Sequence, residues 1–179
     1  MEFSKHAIRI KDQKDICQVL QAISSLQDLV VVNIADSAEM RPILFSEENL
    51  HAILADAPES LFVEALPLGE YKKLMRDKID QMVQSAISLR ATLRTNYVAD
   101  LASQVRDFLK QLDQILLMLK CYALQNARSG VAENVQKLQI LLGQLAASSF
   151  EHGDNVRCMD DLQYQILPAL KNLLKVFRK

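Results

Sequence analysis

The stretch NYVADLASQVRDFLKQLDQILLMLKCYA, residues 96–123, places an apolar side chain at every third or fourth position over about seven helical turns. Three columns of residues seven apart are apolar, whereas a two-stranded coiled coil needs only two such columns. A stripe this broad fits the interior of a globular bundle, so the sequence predicts a long helix that packs mainly against other helices of its own chain. The columns are Val98, Val105, Leu112 and Leu119; Leu101, Phe108, Ile115 and Tyr122; and Ala102, Leu109, Leu116 and Ala123.

Neighbouring helices for this stripe are predicted on both sides of it in the sequence. Gly130 is a candidate C-terminal cap for the long helix. Pro168 should kink or split the last helix, because proline lacks the amide hydrogen for an internal hydrogen bond. Short connections join antiparallel neighbours, so residues 70–179 are predicted to form an up-down four-helix bundle. The neighbouring helices are predicted at 70–94, at 131–148 and from Asp154 or Asn155 onward.

Before residue 67 the pattern differs, because short Val- and Ile-rich runs alternate with amphipathic segments. Ser46 can cap the second of these segments as a helix. The element order is βαββαβ, and its simplest packing is a four-stranded antiparallel sheet with both helices on one face, the ferredoxin-like arrangement. The expected fold class is therefore α+β and mostly helical, with a small head at 1–66 and a bundle at 70–179. The predicted strands are 6–10, 28–36, 41–46 and 60–66, and the predicted helices of the head are 11–27 and 47–57.

The charge of the chain is balanced, with 21 basic and 22 acidic residues and a net charge of −1. A broad surface for nucleic acid or acidic membrane lipids needs a marked basic excess, so neither is expected as a partner. The amino-terminal residues lack the apolar core of a secretory signal, and no apolar run approaches the about 20 residues of a membrane span. The three cysteines lie far apart without a CxxC pair, as is typical of buried thiols in a reducing compartment. The sequence therefore predicts a cytoplasmic protein.

Candidate catalytic and metal-ligating residues are few. Glu48 and His51 have the Glu-x-x-His spacing of di-iron bundles, but the motif occurs once and outside the predicted bundle. A capping glutamate followed by a surface histidine explains it. His152 lies in a predicted loop, and no nucleophile stands at a recognisable spacing from it. We therefore expect no enzymatic activity, no cofactor and no metal site.

Basic residues form two small clusters on the predicted helices. Either cluster could meet an acidic partner, although a solvated face is the simpler interpretation. The second cluster stands at a predicted helix C-terminus, where the helix dipole favours cations in any case. The clusters are Lys72, Lys73, Arg76 and Lys78, and Lys171, Lys175, Arg178 and Lys179.

The lengths of the predicted helices contain the main functional hint. The helix that includes residues 96–123 should outrun the next helix by about 18 Å at 1.5 Å per residue. One end of its apolar stripe would then remain uncovered by that neighbour, as a dimer interface or a partner groove requires. The residues predicted to contact a partner lie at the outer and terminal positions of the stripe and are Leu109, Leu116, Leu117, Tyr122 and Leu124.

Together these features favour a non-enzymatic interaction protein, such as an adaptor, an assembly factor or a secretion-type chaperone. It would present apolar helix surface to another protein and form a homodimer. One alternative is a small-ligand sensor, in which the head binds a metabolite and the bundle dimerises. Against the sensor, the first half has no glycine before Gly69 to allow close backbone approach to a ligand. A third class is an enzyme with an unrecognised site at the junction of head and bundle.

Overall fold

The computed structural model of the protein describes residues 4–9, 19, 22–23, 28–39, 41, 43–56, 58–95, 101–126, 130–150 and 155–178. Over this part of the chain the fold is mixed α+β and mostly helical, with a four-stranded antiparallel sheet and several helices. The α+β prediction is confirmed at this level. The strands are β1 (Ser4–Arg9), β2 (Leu29–Ala35), β3 (Ile43–Leu44) and β4 (Ser60–Pro67). The helices are α1 (Glu47–Ala55), α2 (Leu68–Thr95), α3 (Leu101–Gln125), α4 (Val131–Phe150), α5 (Asn155–Asp160) and α6 (Leu167–Arg178), with a π-helix at Asp161–Ile166.

The order of the strands in the sheet is β1-β4-β2-β3. Strand β4 pairs antiparallel with β1 on one side and with β2 on the other, and β2 also pairs with the two-residue strand β3. Because β1 and β2 are both antiparallel to β4, they are parallel to each other with β4 between them. A register shift between Val31 and Asn33 marks a β-bulge in β2, which takes backbone groups out of the regular ladder.

The hydrophobic core of the sheet gathers side chains from strands and helices. Val19 and Ile23 are helical residues of the segment predicted as helix 11–27, most of which lies outside the described residues. They belong to the same cluster as Leu50 and Ile53 of α1 and Cys121 of α3. The strand members of the cluster are Val31 and Ile34 of β2, and Leu61, Val63 and Ala65 of β4.

Helix α1 begins where the sequence predicts. Ser46 has extended backbone geometry, and its Oγ accepts a hydrogen bond from the amide of Asn49 at 3.1 Å. Glu47 and Glu48 occupy the first turn, where the helix dipole favours negative charge. The cap and the first-turn carboxylates together explain why the helix starts at this position.

The described parts of the long helices are closer in length than predicted. Helix α3 has 25 residues and α4 has 20. The difference corresponds to about 7.5 Å, less than half of the about 18 Å expected from the sequence. Two causes contribute: α4 continues to Phe150, and the predicted start of α3 falls at 96–100, outside the described residues.

Gly130 has the left-handed backbone conformation, with φ at +68°, that glycine adopts without steric cost. It stands immediately before α4, whereas α3 already ends at Gln125. The prediction that Gly130 caps the C-terminus of α3 is therefore wrong. Its carbonyl instead accepts a hydrogen bond from Asn134 Nδ2 at 2.9 Å, within the first turn of α4.

Pro168 is the second residue of α6 and directly follows the π-helix. The amide of Leu167 donates to the carbonyl of Leu162, five residues back instead of the four of an α-helix. Because Pro168 has no amide hydrogen, it cannot make a backbone hydrogen bond to the preceding turn. The π-helical turn therefore lies directly before Pro168, where the sequence predicts a kink or a split in the last helix.

The chain divides into two compact units. The sheet unit comprises Met1–Tyr71 and Lys120–Ser129, and the helical unit comprises Lys72–Leu119 and Gly130–Lys179. The predicted domains at 1–66 and 70–179 stay a prediction, because compactness alone does not show which segment folds independently. Among the described residues, no helix combines the length and the apolarity needed to cross a membrane.

Candidate functional site

The five residues predicted to contact a partner all lie on α3, but they differ in exposure. Leu116 and Tyr122 are buried, with 2% and 5% of their surface exposed. Leu109 and Leu124 are half-buried, and Leu117 is exposed. An approaching protein could therefore contact Leu117 directly, whereas Leu116 and Tyr122 are reachable only after a rearrangement.

The C-terminal end of α3 packs inside the sheet unit. Cys121 is part of the sheet core, and Leu124 packs against that core. The ring of Tyr122 stacks on the ring of Tyr71, with the centroids 5.6 Å apart and the planes 8° from parallel. Side chains of the sheet unit therefore cover this end of the stripe, whereas the expectation that the next helix leaves one end uncovered stays a prediction.

Hydrogen bonds fix the same end of α3 to the sheet. The amide of Val31 donates to Gln125 Oε1 at 2.7 Å, and Gln125 Nε2 donates to the Val31 carbonyl at 2.7 Å. Gln125 Nε2 also donates to the carbonyl of Cys121 at 2.9 Å. The Cys121 thiol donates to the carbonyl of Phe45. The bulged strand β2 thus receives from a side chain the hydrogen bonds that a longer β3 would provide.

Burial suppresses the acidity of the three titratable groups at this contact. Burial raises the pKa of the Cys121 thiol to about 12. It also raises the pKa of Tyr71 well above its usual value and, to a smaller extent, that of Tyr122. Because a thiolate is the reactive form of cysteine, Cys121 is a structural thiol with no nucleophilic character near neutral pH.

Among the residues that the structure describes, His6 does not lie in a common site with the Glu-x-x-His pair Glu48 and His51. His6 Nε2 lies 3.0 Å from Ser4 Oγ, and Glu48 and His51 are exposed on α1. His152 lies outside the described residues. Within the described ranges, no group of three or more His, Cys, Asp or Glu residues is arranged to hold a metal ion.

A groove of about 390 Å³ lies in the helical unit and is called the basic groove here. Three of its lining residues are cations and none is acidic. Lys175 Nζ donates to Asn172 Oδ1 at 3.1 Å. Neither of the ion pairs found among the described residues includes a cation of the groove. The lining residues are Arg90 of α2, Gln163 of the π-helix, and Leu167, Pro168, Lys171, Asn172 and Lys175 of α6.

The basic groove was only partly predictable from the sequence. Lys171 and Lys175 stand out as part of a basic cluster, and their spacing of four residues places them on one face of a helix. Arg90 belongs to a different helix and is not near any sequence cluster. Only the packing of the helices brings Arg90 to the same groove as the two lysines.

A second cavity, the sheet cleft, has a volume of about 310 Å³ and lies in the sheet unit. Lys5 Nζ approaches Glu64 Oε1 to 3.8 Å, and Asn33 Nδ2 donates to Glu64 Oε2 at 2.9 Å. Lys5, Ala7, Phe62 and Glu64 alternate with core residues along their strands, so they lie on the sheet face opposite the core. The lining residues are Lys5, His6, Ala7, Ala35, Ser37, Ala38, Phe62, Val63 and Glu64.

Large apolar side chains are exposed mainly on the helices. Six such side chains are exposed among the described residues, and five of them belong to the helical unit. Tyr164 of the π-helix and Val156 of α5 are the most exposed, at 66% and 64%. The five are Ile87, Leu117, Ile140, Val156 and Tyr164, and the sixth is Ile43 of β3.

Comparison with protein-family models, with curated proteins and with solved structures finds no match to this chain.

Proposed function

We propose that the protein is a non-enzymatic interaction protein, acting as an adaptor, an assembly factor or a secretion-type chaperone. Its helical unit binds another protein through exposed apolar side chains. The observation that supports this proposal is the exposure of five large apolar residues on the helices of that unit. Tyrosine is enriched among interface hot spots, and Tyr164 is the most exposed of the five.

Helix α3 remains part of the proposed contact surface, but only some of its five predicted contact residues are exposed enough to reach a partner. Leu117 is exposed and Leu109 is half-buried, so both can contribute directly. Leu116 is buried, and Tyr122 and Leu124 belong to the sheet unit, so these three residues are not proposed as anchors. The proposed anchors are therefore Leu117 and Tyr164.

Affinity capture with matched variants tests the proposal. Wild-type protein should retain a stoichiometric protein partner that is lost with Tyr164→Glu or Leu117→Glu, because a charge at an apolar contact must be desolvated on binding. Ala52→Glu is the control, since Ala52 is exposed on α1 in the sheet unit and outside the proposed surface. Equal retention of the partner by all variants would overturn the assignment of the anchors, and the absence of any stoichiometric partner would overturn the function.

Self-association is part of the proposal, with a homodimer as the expected state. Light scattering coupled to size-exclusion chromatography should report twice the mass of the 20.2 kDa chain. A monomer at every concentration up to the solubility limit would contradict the dimer.

The finer architecture is also proposed. The described part of the sheet unit supports a ferredoxin-like head in the broad sense of two interleaved β–α–β units, because β4 lies between β1 and β2 in the sheet and α1 connects β3 to β4. The long helices α2, α3 and α4, with α5 to α6 as the fourth member, support an up-down four-helix bundle.

The sheet cleft favours a second candidate function, a sensor of small ligands. A cavity of about 310 Å³ with one cation, one carboxylate and apolar walls has the character of a small-molecule site. A metabolite that binds the cleft should raise the melting temperature. Ala38→Trp should abolish that shift by filling the cleft, whereas Ala55→Trp, at an exposed position of α1 outside the cleft, should preserve it. A shift that survives Ala38→Trp would exclude the cleft as the site.

A further inference from the structure

We infer that the basic groove binds an acidic segment of a partner protein, with Arg90, Lys171 and Lys175 as the recognition residues. This inference rests on the proposed function and specifies the chemistry of the partner. The chain as a whole has a net charge of −1, so the acid-free lining of the groove does not follow from a general excess of cations. Three cations held around one groove repel one another, and an anionic occupant would relieve that repulsion.

The placement of the cations suits carboxylates one helical turn apart. Lys171 and Lys175 are four residues apart on α6, so their side chains lie on one face about 6 Å apart along the helix axis. Arg90 lines the groove from α2 and offers a planar fork of donors that can bind a carboxylate through two hydrogen bonds. Asn172 and Gln163 add amide groups, and exposed Pro168 adds apolar surface for the methylene groups of glutamate.

The openness of the groove favours a protein segment over a small molecule. Pro168, Lys171, Asn172 and Lys175 are exposed, so an occupant would remain largely in contact with solvent. Sites for small molecules usually bury most of the ligand surface. A segment of a folded partner can bind such a surface because other contacts share the cost of association. Tyr164 directly follows the groove residue Gln163 in the π-helix, which places the proposed apolar anchor next to the groove in the sequence.

Fluorescence anisotropy with a defined probe tests the inference. The probe is a fluorescein-labelled helical peptide of alanine with glutamate pairs spaced four residues apart, and the control peptide has glutamine in place of glutamate. The full chain should bind the glutamate peptide, bind the glutamine peptide much more weakly, and lose affinity as sodium chloride screens the charges. Lys171→Glu with Lys175→Glu should weaken binding by roughly tenfold, since each surface ion pair contributes little and charge reversal adds repulsion.

The matched control is Lys110→Glu with Lys137→Glu, which makes the same change in net charge at exposed positions outside the groove. This pair should change the affinity by less than about twofold. Arg90→Gln should weaken binding, and Arg90→Lys should restore only part of the loss, because lysine keeps the charge without the fork. Circular dichroism of every variant confirms that the fold is retained.

Three results would overturn the inference. The first is no binding of the glutamate peptide, and the second is an equal loss of affinity in the groove pair and the control pair. The third is displacement of the peptide by equimolar inorganic phosphate or pyrophosphate, which would reassign the groove to small anions. The capture experiment with Tyr164→Glu is independent of these results. A partner lost with Tyr164→Glu but not with the lysine variants would leave the proposed function intact and refute only the role of the groove.

Discussion

Gln125 pairs with the backbone of Val31 through both atoms of its side-chain amide. The two hydrogen bonds are each 2.7 Å long and join residues 94 positions apart in the chain. In a sheet with a longer β3, the amide and the carbonyl of Val31 would bond to that strand. Strand β3, however, pairs only with Asn33 and Ile34 of β2. The side chain of one residue thus substitutes for a missing stretch of strand.

Replacement of Gln125 by alanine should lower the free energy of unfolding by about 1–3 kcal/mol, because it leaves partly buried backbone groups without partners. Gln125→Glu should also destabilise, since it keeps the acceptor for the Val31 amide but turns a carboxylate oxygen toward two carbonyls. Urea denaturation measures both effects. Gln144→Ala, at an exposed position, is the control and should stay within about 0.5 kcal/mol of wild type. A Gln125→Ala variant as stable as that control would show that water replaces the amide at no cost.

The stacked rings of Tyr71 and Tyr122 should be energetically coupled. A double-mutant cycle with Tyr71→Leu and Tyr122→Leu should give a coupling free energy of about 0.5–1.5 kcal/mol, the range of aromatic pairs in parallel or edge contact. Denaturant unfolding of the four proteins in the cycle measures it. As a control, Tyr71→Leu combined with Leu89→Ala should be additive, because Leu89 is buried and lies about 27 Å from Tyr71 along α2. Additivity of the two tyrosine substitutions would show that the rings stabilise the protein only through burial.

Stability should fall as the pH rises above about 9. The unfolded chain loses the Cys121 proton near the ordinary value of 9.0, whereas the folded chain keeps it up to about 12. Between these values the unfolded state binds fewer protons, so each increase in pH favours unfolding, by about 1.4 kcal/mol for each unit of pKa difference. The raised pKa of Tyr71 and of Tyr122 acts in the same direction at higher pH.

Melting temperatures recorded between about pH 7 and pH 11 measure this dependence. Cys121→Ala should be less stable than wild type at neutral pH but should lose less stability between about pH 9 and pH 10. Val63→Ala removes atoms from the same core without removing a titratable group. Its melting temperature should therefore be lower than that of wild type at every pH but should fall with pH at the same rate. An identical slope for wild type and Cys121→Ala would mean that the thiol is not the titrating group.

The cap of α1 should contribute measurably to stability. Ser46→Ala removes the acceptor of the Asn49 amide and should cost about 1 kcal/mol, whereas Ser46→Asp restores an acceptor and should recover most of the loss. Thermal denaturation compares the variants. Ser88→Ala, at an exposed position inside α2, should change stability by less than about 0.5 kcal/mol. If Ser46→Ala were as stable as Ser88→Ala, the hydrogen bond from the Asn49 amide to Ser46 Oγ would make no net contribution to stability.

Local signals account for the parts of the fold that the sequence predicts well. The Val- and Ile-rich run of β2 and the serine cap of α1 depend on residues close together in the chain. The strand order depends on pairings between distant segments, and no local pattern encodes them. A 3.6-residue period shows that one face of α3 is buried, but it does not show whether a helix or a sheet covers that face. For this reason the burial of Tyr122 by the sheet unit could not be predicted, and Arg90 could not be assigned to the same groove as Lys171.

The sheet unit is assembled from two separate stretches of chain, and this has a consequence for biosynthesis. As the protein emerges from the ribosome, all four strands are made before Cys121 and Gln125 exist. The nascent amino-terminal segment therefore lacks part of its core and the amide that satisfies Val31 until α3 has been translated. Messenger RNAs truncated before the codon for Gln125 should yield polypeptides that are degraded or aggregate and do not accumulate as a folded sheet unit.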